Sequence, residues 1–283
     1  WIWQDIGNYY GAGAHQLNWH ENQYDLVLSS GDNVGDDVTV VSPKKDFVNQ
    51  LKTAAKGTGD NAYIYLPEGA AGRMLLAGTI PAGERSFTIS GATTDPAGEL
   101  KAAFTAALAS KRISIINEPA PQKTPIIFYT HYSPPLDSIN FWFLRRSINL
   151  YGEALMKTIG KGSTDTGVHI VRDLWAAKGI DRSAINIIDG SGLSPQNRVT
   201  TDALAHILYY AQDRPWFASF YEALPAYNNM KLKSGSIGGA RAFAGYHTSA
   251  QGTAYIVAII VNNYAGSSGE IVKKMYRVLD VLK

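Results

Sequence analysis

The strongest constraint on the fold lies near the C-terminus, where Lys233-Ser234-Gly235-Ser236-Ile237-Gly238-Gly239 continues through Ala240-Arg241-Ala242-Phe243-Ala244-Gly245-Tyr246 and is followed by the apolar run Ala254 to Val261. A run of that length, rich in isoleucine and valine, reads as a buried strand. The two segments are therefore expected to be neighbouring strands of one sheet. Gly269 to Leu282 then reads as a C-terminal helix with Ile271, Met275, Val278 and Leu282 on one face. Glycine beside Lys233 removes the side chain that would hold a ligand at a distance, and exposed N–H groups on such a strand can face negative charge. The same residues also read as a glycine-rich hairpin with a surface lysine.

The chain has 283 residues, enough for about two domains with a large buried core. A net charge of +2, with 18% charged residues and no basic stripe along any helix, argues against nucleic acid as a partner. With no cysteine, disulfides and thiolate metal sites are excluded, and the composition suits an oxidising envelope compartment. The longest apolar runs, such as Ile256 to Val261, fall short of a membrane span. The chain starts at Trp1 rather than methionine and reads as a processed product or a fragment.

Residues up to about Thr94 alternate short β-prone runs (Tyr24 to Leu28, Val38 to Val41, Ala62 to Leu66, Met74 to Ala77, Phe87 to Ser90) with turns such as Ser30-Gly31-Asp32-Asn33. This predicts an antiparallel β-rich module over residues 1–115. Phe47 to Ala55 fits neither period. From Asp95 a helix is expected to lay Leu100, Ala103, Phe104, Ala107 and Leu108 on a sheet. Strands at Ile113 to Ile115 and Ile126 to Tyr129 follow. Helices then run from Ser133 through Leu155, over Thr166 to Lys178 and over Thr201 to Gln212, within a second domain of residues 116–283. The predicted class is α/β (α+β), an antiparallel sheet with helices plus a β-rich module.

Two further segments can carry chemistry. In Arg145-Arg146-Ser147-Ile148-Asn149, Ser147 and Asn149 interrupt a helical stretch, and both residue types prefer turns and caps. A turn there can present both to a cleft, or Ser147 can simply N-cap the next helix. Ser138-Ile139-Asn140 competes one helix earlier. In Ile187-Ile188-Asp189-Gly190-Ser191-Gly192-Leu193-Ser194 a short apolar strand enters a tight turn that Asp189 and Ser191 are expected to brace.

Taken in this order, Ser-x-Asn, Asp-Gly-Ser-Gly-Leu-Ser and Lys-Ser-Gly-Ser before a final helix resemble the penicillin-binding-protein D-alanyl-D-alanine carboxypeptidases of the penicillin-binding protein 4 type, peptidase family S13. Met156-Lys157-Thr158-Ile159-Gly160, Ala242 to Tyr246 and the opening Trp1-Ile2-Trp3-Gln4-Asp5 extend the likeness over nearly the whole chain. It selects Ser147 over Ser138 and implies a serine β-lactamase/transpeptidase-like domain, incomplete at its N-terminal part, joined to an inserted module. It further implies a cell-envelope or periplasmic hydrolase acting on peptidoglycan stem peptides ending in D-Ala-D-Ala, inhibited by β-lactams and needing no cofactor or metal. Ser147 would relay a proton, Asn149 would hold the substrate amide, and Lys233 would meet the terminal carboxylate. Ser234 would replace the usual threonine, Gly235 would leave room on the strand, Ser236 would offer an oxyanion-hole N–H, and Asp5 would meet the amine of a diamino acid. Pro195 and Gly238 depart from residues that relatives often carry there.

The family's nucleophile lies in Ser-x-x-Lys at a helix start. Here the pattern occurs at Ser42-Pro43-Lys44-Lys45, within the β-rich module and without helical periodicity, and is expected not to be catalytic. The chain therefore reads as the C-terminal part of a family member: either a truncated piece of an active enzyme, or a protein whose nucleophile sits on a separate N-terminal segment. An alternative is a catalytically inactive envelope binding or scaffold protein of the same fold, using Tyr9, Tyr10, Trp19 and Tyr24. The scattered histidines show no metal-ligand spacing, and Gly11-Ala12-Gly13 is no dinucleotide fingerprint.

Overall fold

A computed structural model describes residues 1–43, 46–67, 72–115, 127 and 129–283. These form two compact units, one of Trp3–Pro135 and one of Leu136–Lys283 joined by Trp1–Ile2.

In the first unit, α1 (Trp3–Ile6) precedes six strands: β1 (Gln23–Ser29), β2 (Thr39–Ser42), β3 (Phe47–Ala54), β4 (Asn61–Tyr65), β5 (Met74–Pro81) and β6 (Phe87–Ala92). One antiparallel sheet has the order β2-β1-β6 and the other the order β3-β5-β4. Leu26, Leu28, Leu51, Ile64, Leu76 and Ile80 make the shared core. The alternation in β1 is what a half-buried strand requires, and Asn8 ties α1 to the sheet by donating to the Gln4 carbonyl and accepting from the Ile64 N–H. The module is not wholly antiparallel, because the ambiguous Phe47 segment is β3 and runs parallel to β5. Pairing direction is set by the connection through β4, which periodicity does not report.

α2 (Pro96–Ser110) starts where expected, with Asp95 accepting from the Gly98 N–H. It does not lie on a sheet: Phe104 is 59% exposed, and only Pro96 is buried. Ile113 to Ile115 are coil rather than a strand, with Ile113 and Ile115 exposed. The strand expected at Ile126 to Tyr129 lies partly outside the described residues.

The second unit contains α3 (Leu136–Arg146), α4 (Asn149–Ile159), α5 (Thr164–Ala176), β7 (Ile185–Asn186), β8 (Arg198–Val199), α6 (Thr201–Gln212), α7 (Phe217–Ala223), β9 (Ala226–Tyr227), β10 (Met230–Ile237), β11 (Ala240–Thr248), β12 (Ala254–Asn262) and α8 (Ser268–Leu279). Its main sheet is antiparallel in the order β12-β11-β10-β9. The run from Lys233 to Tyr246 is thus two strands rather than one, folded at Gly238-Gly239, where Gly239 takes a φ of 72° that favours glycine. α8 covers one face, packing Met275 and Leu279 on Met230, Leu232, Phe243 and Val257. Val278, expected inside, is 61% exposed, and Leu279 takes the core position. On the other face Tyr246 packs with Leu208 and Leu224 and donates its hydroxyl to the Leu208 carbonyl at 2.7 Å. Among the described residues no helix is long and apolar enough to cross a membrane.

Candidate active site

α3 and α4 are separated by Ser147 and Ile148, and Ser147 adopts a φ of 55°, an uncommon conformation for a residue with a Cβ. Ile148 is the N-cap residue of α4 and makes no side-chain cap, so Ser147 is not the cap. Its hydroxyl instead accepts from Lys233 Nζ on β10 at 2.8 Å, across 86 residues of sequence. Lys233 also donates to the Ser234 carbonyl at 2.7 Å. An ammonium can only donate, so the Ser147 oxygen is the acceptor and its own proton is left to point elsewhere. Burial pushes the Lys233 amine below the ordinary lysine range, because removing water disfavours the charged form. Arg145 anchors α3 rather than the site, donating to the Glu222 carbonyl at 2.5 Å and lying over the Phe141 ring.

β10 has an open outer edge beyond its start, since β9 pairs only with Met230 and Lys231. The Leu232 N–H points outward, to the Pro225 carbonyl at 3.0 Å. Backbone groups alternate sides along a strand, so the Ser234 and Ser236 N–H groups point outward too. Gly235 and Ser236 are exposed. The Ser234 hydroxyl donates to the Tyr227 hydroxyl at 3.2 Å.

Opposite this strand runs the Asp189–Ser194 turn. Two buried carboxylates hold it. Asp189 accepts from the Gly192 and Ser194 N–H groups, from Asn197 Nδ2 and from Trp1 Nε1. Glu153 on α4 accepts from the Gly190 and Ser191 N–H groups at 3.0 and 2.8 Å. Burial pushes the Glu153 carboxyl above its ordinary range, with the Asp189 charge adding to the rise and the bonds from Ser191 and Gly190 opposing it. A cavity of about 700 Å³ lies between the turn, represented by Gly190 to Gly192, Pro195, Asn197 and Arg198, and the β10–β11 hairpin from Gly235 to Ala242.

Residues 1–227 match the model of the D-Ala-D-Ala carboxypeptidase 3 (S13) family. The chain belongs to that family. A D-alanyl-D-alanine carboxypeptidase of Actinomadura sp. (strain R39) is 27% identical over 253 residues, covering 78% of this chain and 46% of the relative. The S13 chain thus spans about half the length of that curated relative. Penicillin binding protein 4 of Haemophilus influenzae superposes with a TM-score of 0.78 at 19% identity, covering all of this chain and 70% of the other. The same protein complexed with a β-lactam superposes with a TM-score of 0.73 at 19% identity, covering 95% and 70%. The fold is that of penicillin binding protein 4.

Within this S13 chain, Ser147, Asn149, Lys233, Ser234, Gly235 and Ser236 all belong to the second unit, with Ser147 and Lys233 in direct contact and Asn149 opening α4. Ser138 and Asn140 lie inside α3. Asp5 lies on α1 in the first unit, with its carboxyl raised by burial. Ser42 ends β2, a strand and not a helix start, and Lys44 and Lys45 lie outside the described residues. Asp189 and Ser191 do brace their turn, although β7 ends at Asn186, before Ile187. Sequence reasoning missed Glu153, Tyr227 and the Trp1 indole. For Glu153 a signal existed: a carboxylate among Leu150, Gly152 and Met156, which are all buried, needs a partner at its own level.

Proposed function

We propose that this chain forms one side of the active site of a serine-type D-Ala-D-Ala carboxypeptidase or endopeptidase of the cell envelope, acting on peptidoglycan stem peptides through an acyl-enzyme and inhibited by β-lactams. The observation that carries the reading is the 2.8 Å bond from Lys233 to Ser147, joining two sequence motifs of an S13 member beside an open strand edge. A lysine held below its usual pKa range exchanges protons readily with a neighbouring hydroxyl.

In the proposed reaction a serine oxygen adds to the carbonyl carbon of the penultimate D-alanine as its proton passes to the lysine of its own Ser-x-x-Lys. The oxyanion faces the Ser236 N–H. Ser147 passes a proton to the departing amine and regains one from Lys233; the C–N bond breaks, and the terminal D-alanine or the cross-linking amine departs. Water then hydrolyses the ester, its proton restoring Lys233 while the departing serine oxygen regains its own proton from the Ser-x-x-Lys lysine. Lys233 and the Ser234 hydroxyl meet the terminal carboxylate, and Asn149 meets the acyl amide. The ester-forming serine is assigned to a Ser-x-x-Lys segment other than Ser42-Pro43-Lys44-Lys45.

The test is fluorescent-penicillin labelling of the protein in the cells that make it, read on denaturing gels. A covalently labelled band is expected, weakened about 100-fold or more in acylation rate by Lys233→Ala. No adduct at saturating reagent would overturn the enzyme reading and leave the inactive binding protein.

A further inference from the structure

We infer that Glu153 is a positioning residue, which fixes the Gly190–Ser191 wall of the cavity to the helix that begins at Asn149, and so sets the gap through which an extended acyl peptide passes. The binding consequence rests on the functional reading above; the tie itself does not.

Geometry makes the tie close. α4 and the turn meet backbone to backbone: a Cβ on Gly152 would fall 2.5 Å from the Gly190 carbonyl oxygen, and one on Gly190 would fall 2.1 Å from that of Gly152. Contacts that short are not accommodated without a shift. Glu153, 5% exposed, follows directly, and its Oε1 accepts both N–H groups at the head of the turn. Asp189 takes the Gly192 and Ser194 N–H groups, and the Ser191 hydroxyl takes that of Leu193. All five N–H groups from Gly190 to Ser194 are therefore held by side chains. Those at 190 and 191 are held from another element, so Glu153 couples the orientation of the turn to α4. The turn offers no N–H to a ligand; its part is that of a wall, whereas the outward N–H groups belong to β10.

A peptide adding to the open edge of β10 with its terminal carboxylate at Lys233 would run antiparallel toward Ile237. Its upstream residues would then enter the space between Gly235–Ala242 and Gly190–Arg198. Asn149 stands one helical turn before Glu153, so a single side chain links the group expected to hold the acyl amide with the opposite wall.

The experiment compares wild type with Glu153→Ala, Glu153→Gln and Glu153→Asp by amide hydrogen exchange, and by titration with a synthetic acyl-D-alanyl-D-alanine peptide. Glutamine keeps the acceptor oxygen, whereas aspartate keeps the charge but is one methylene short. Exchange at Gly190 and Ser191 is expected to rise about tenfold or more in the alanine and aspartate variants and to stay near wild type in the glutamine variant, with α5 and β11 unchanged. Peptide affinity should fall about tenfold in the same two variants and be rescued by glutamine. Should Glu153→Ala fail to fold, the aspartate and glutamine pair decides. Unchanged exchange at Gly190 and Ser191, or a uniform rise across the unit, overturns the inference. Wild-type protein that shows the exchange pattern but binds no peptide upholds the tie and overturns the functional reading instead.

Discussion

Lys233 carries its ammonium on a strand whose neighbours Leu232 and Phe243 are buried under α8, and meets the hydroxyl of a serine held at positive φ. Burial lowers its pKa in the folded state, while the unfolded chain keeps the ordinary lysine value. The unfolded state therefore binds more protons in the alkaline range. Stability is expected to rise with pH from the folded value up to the ordinary one, and this contribution is lost as pH falls through the folded value. Urea midpoints measured from neutral to about pH 11 should show that slope in wild type and lack it in Lys233→Met. A slope that persists in the variant would place its origin elsewhere. Lys233, Ser147 and Asn149 were singled out in the sequence because their motifs are local. Glu153 was not, since what distinguishes it from any helical glutamate is the pair of N–H groups brought to it from residues 190 and 191.

Among the elements, helices with a strong apolar stripe were read with sound limits: α6 spans Thr201–Gln212 as expected, capped by the Thr200 hydroxyl. α2 shows where the reading fails. Its alanine-rich sequence forms a helix by propensity, but a stripe of Leu100, Phe104 and Leu108 states only that the face can be buried. In the structure Phe104 stays exposed. The α4–turn junction makes the opposite demand. Gly152→Ala, which raises helix propensity, is expected to destabilise the protein by about 1–3 kcal/mol, since the added methyl overlaps the Gly190 carbonyl. Chemical denaturation measures the difference, and a stabilised variant would show that the two backbones are not in contact.

At the scale of the molecule, Trp1 belongs with residues more than a hundred positions away, and its indole N–H reaches Asp189 at 2.9 Å. A hydrogen bond to a partly buried carboxylate is worth about 1.5–3 kcal/mol. Trp1→Phe should therefore lower stability by about that amount, read by thermal unfolding, while leaving the first unit's β-sheet circular dichroism intact. An unchanged unfolding temperature would show that the indole contributes nothing there. By itself the sequence determined which segments are strands and helices over most of the chain, and which motifs carry hydroxyl, amide and ammonium groups, because periodicity, turn residues and short motifs are local properties. Only the tertiary structure decided that β3 runs parallel to β5, that Phe104 of α2 stays exposed, and that the Lys233 amine meets the Ser147 hydroxyl. Each of these depends on residues far apart in sequence being brought within hydrogen-bonding or packing distance, and no local pattern encodes that distance.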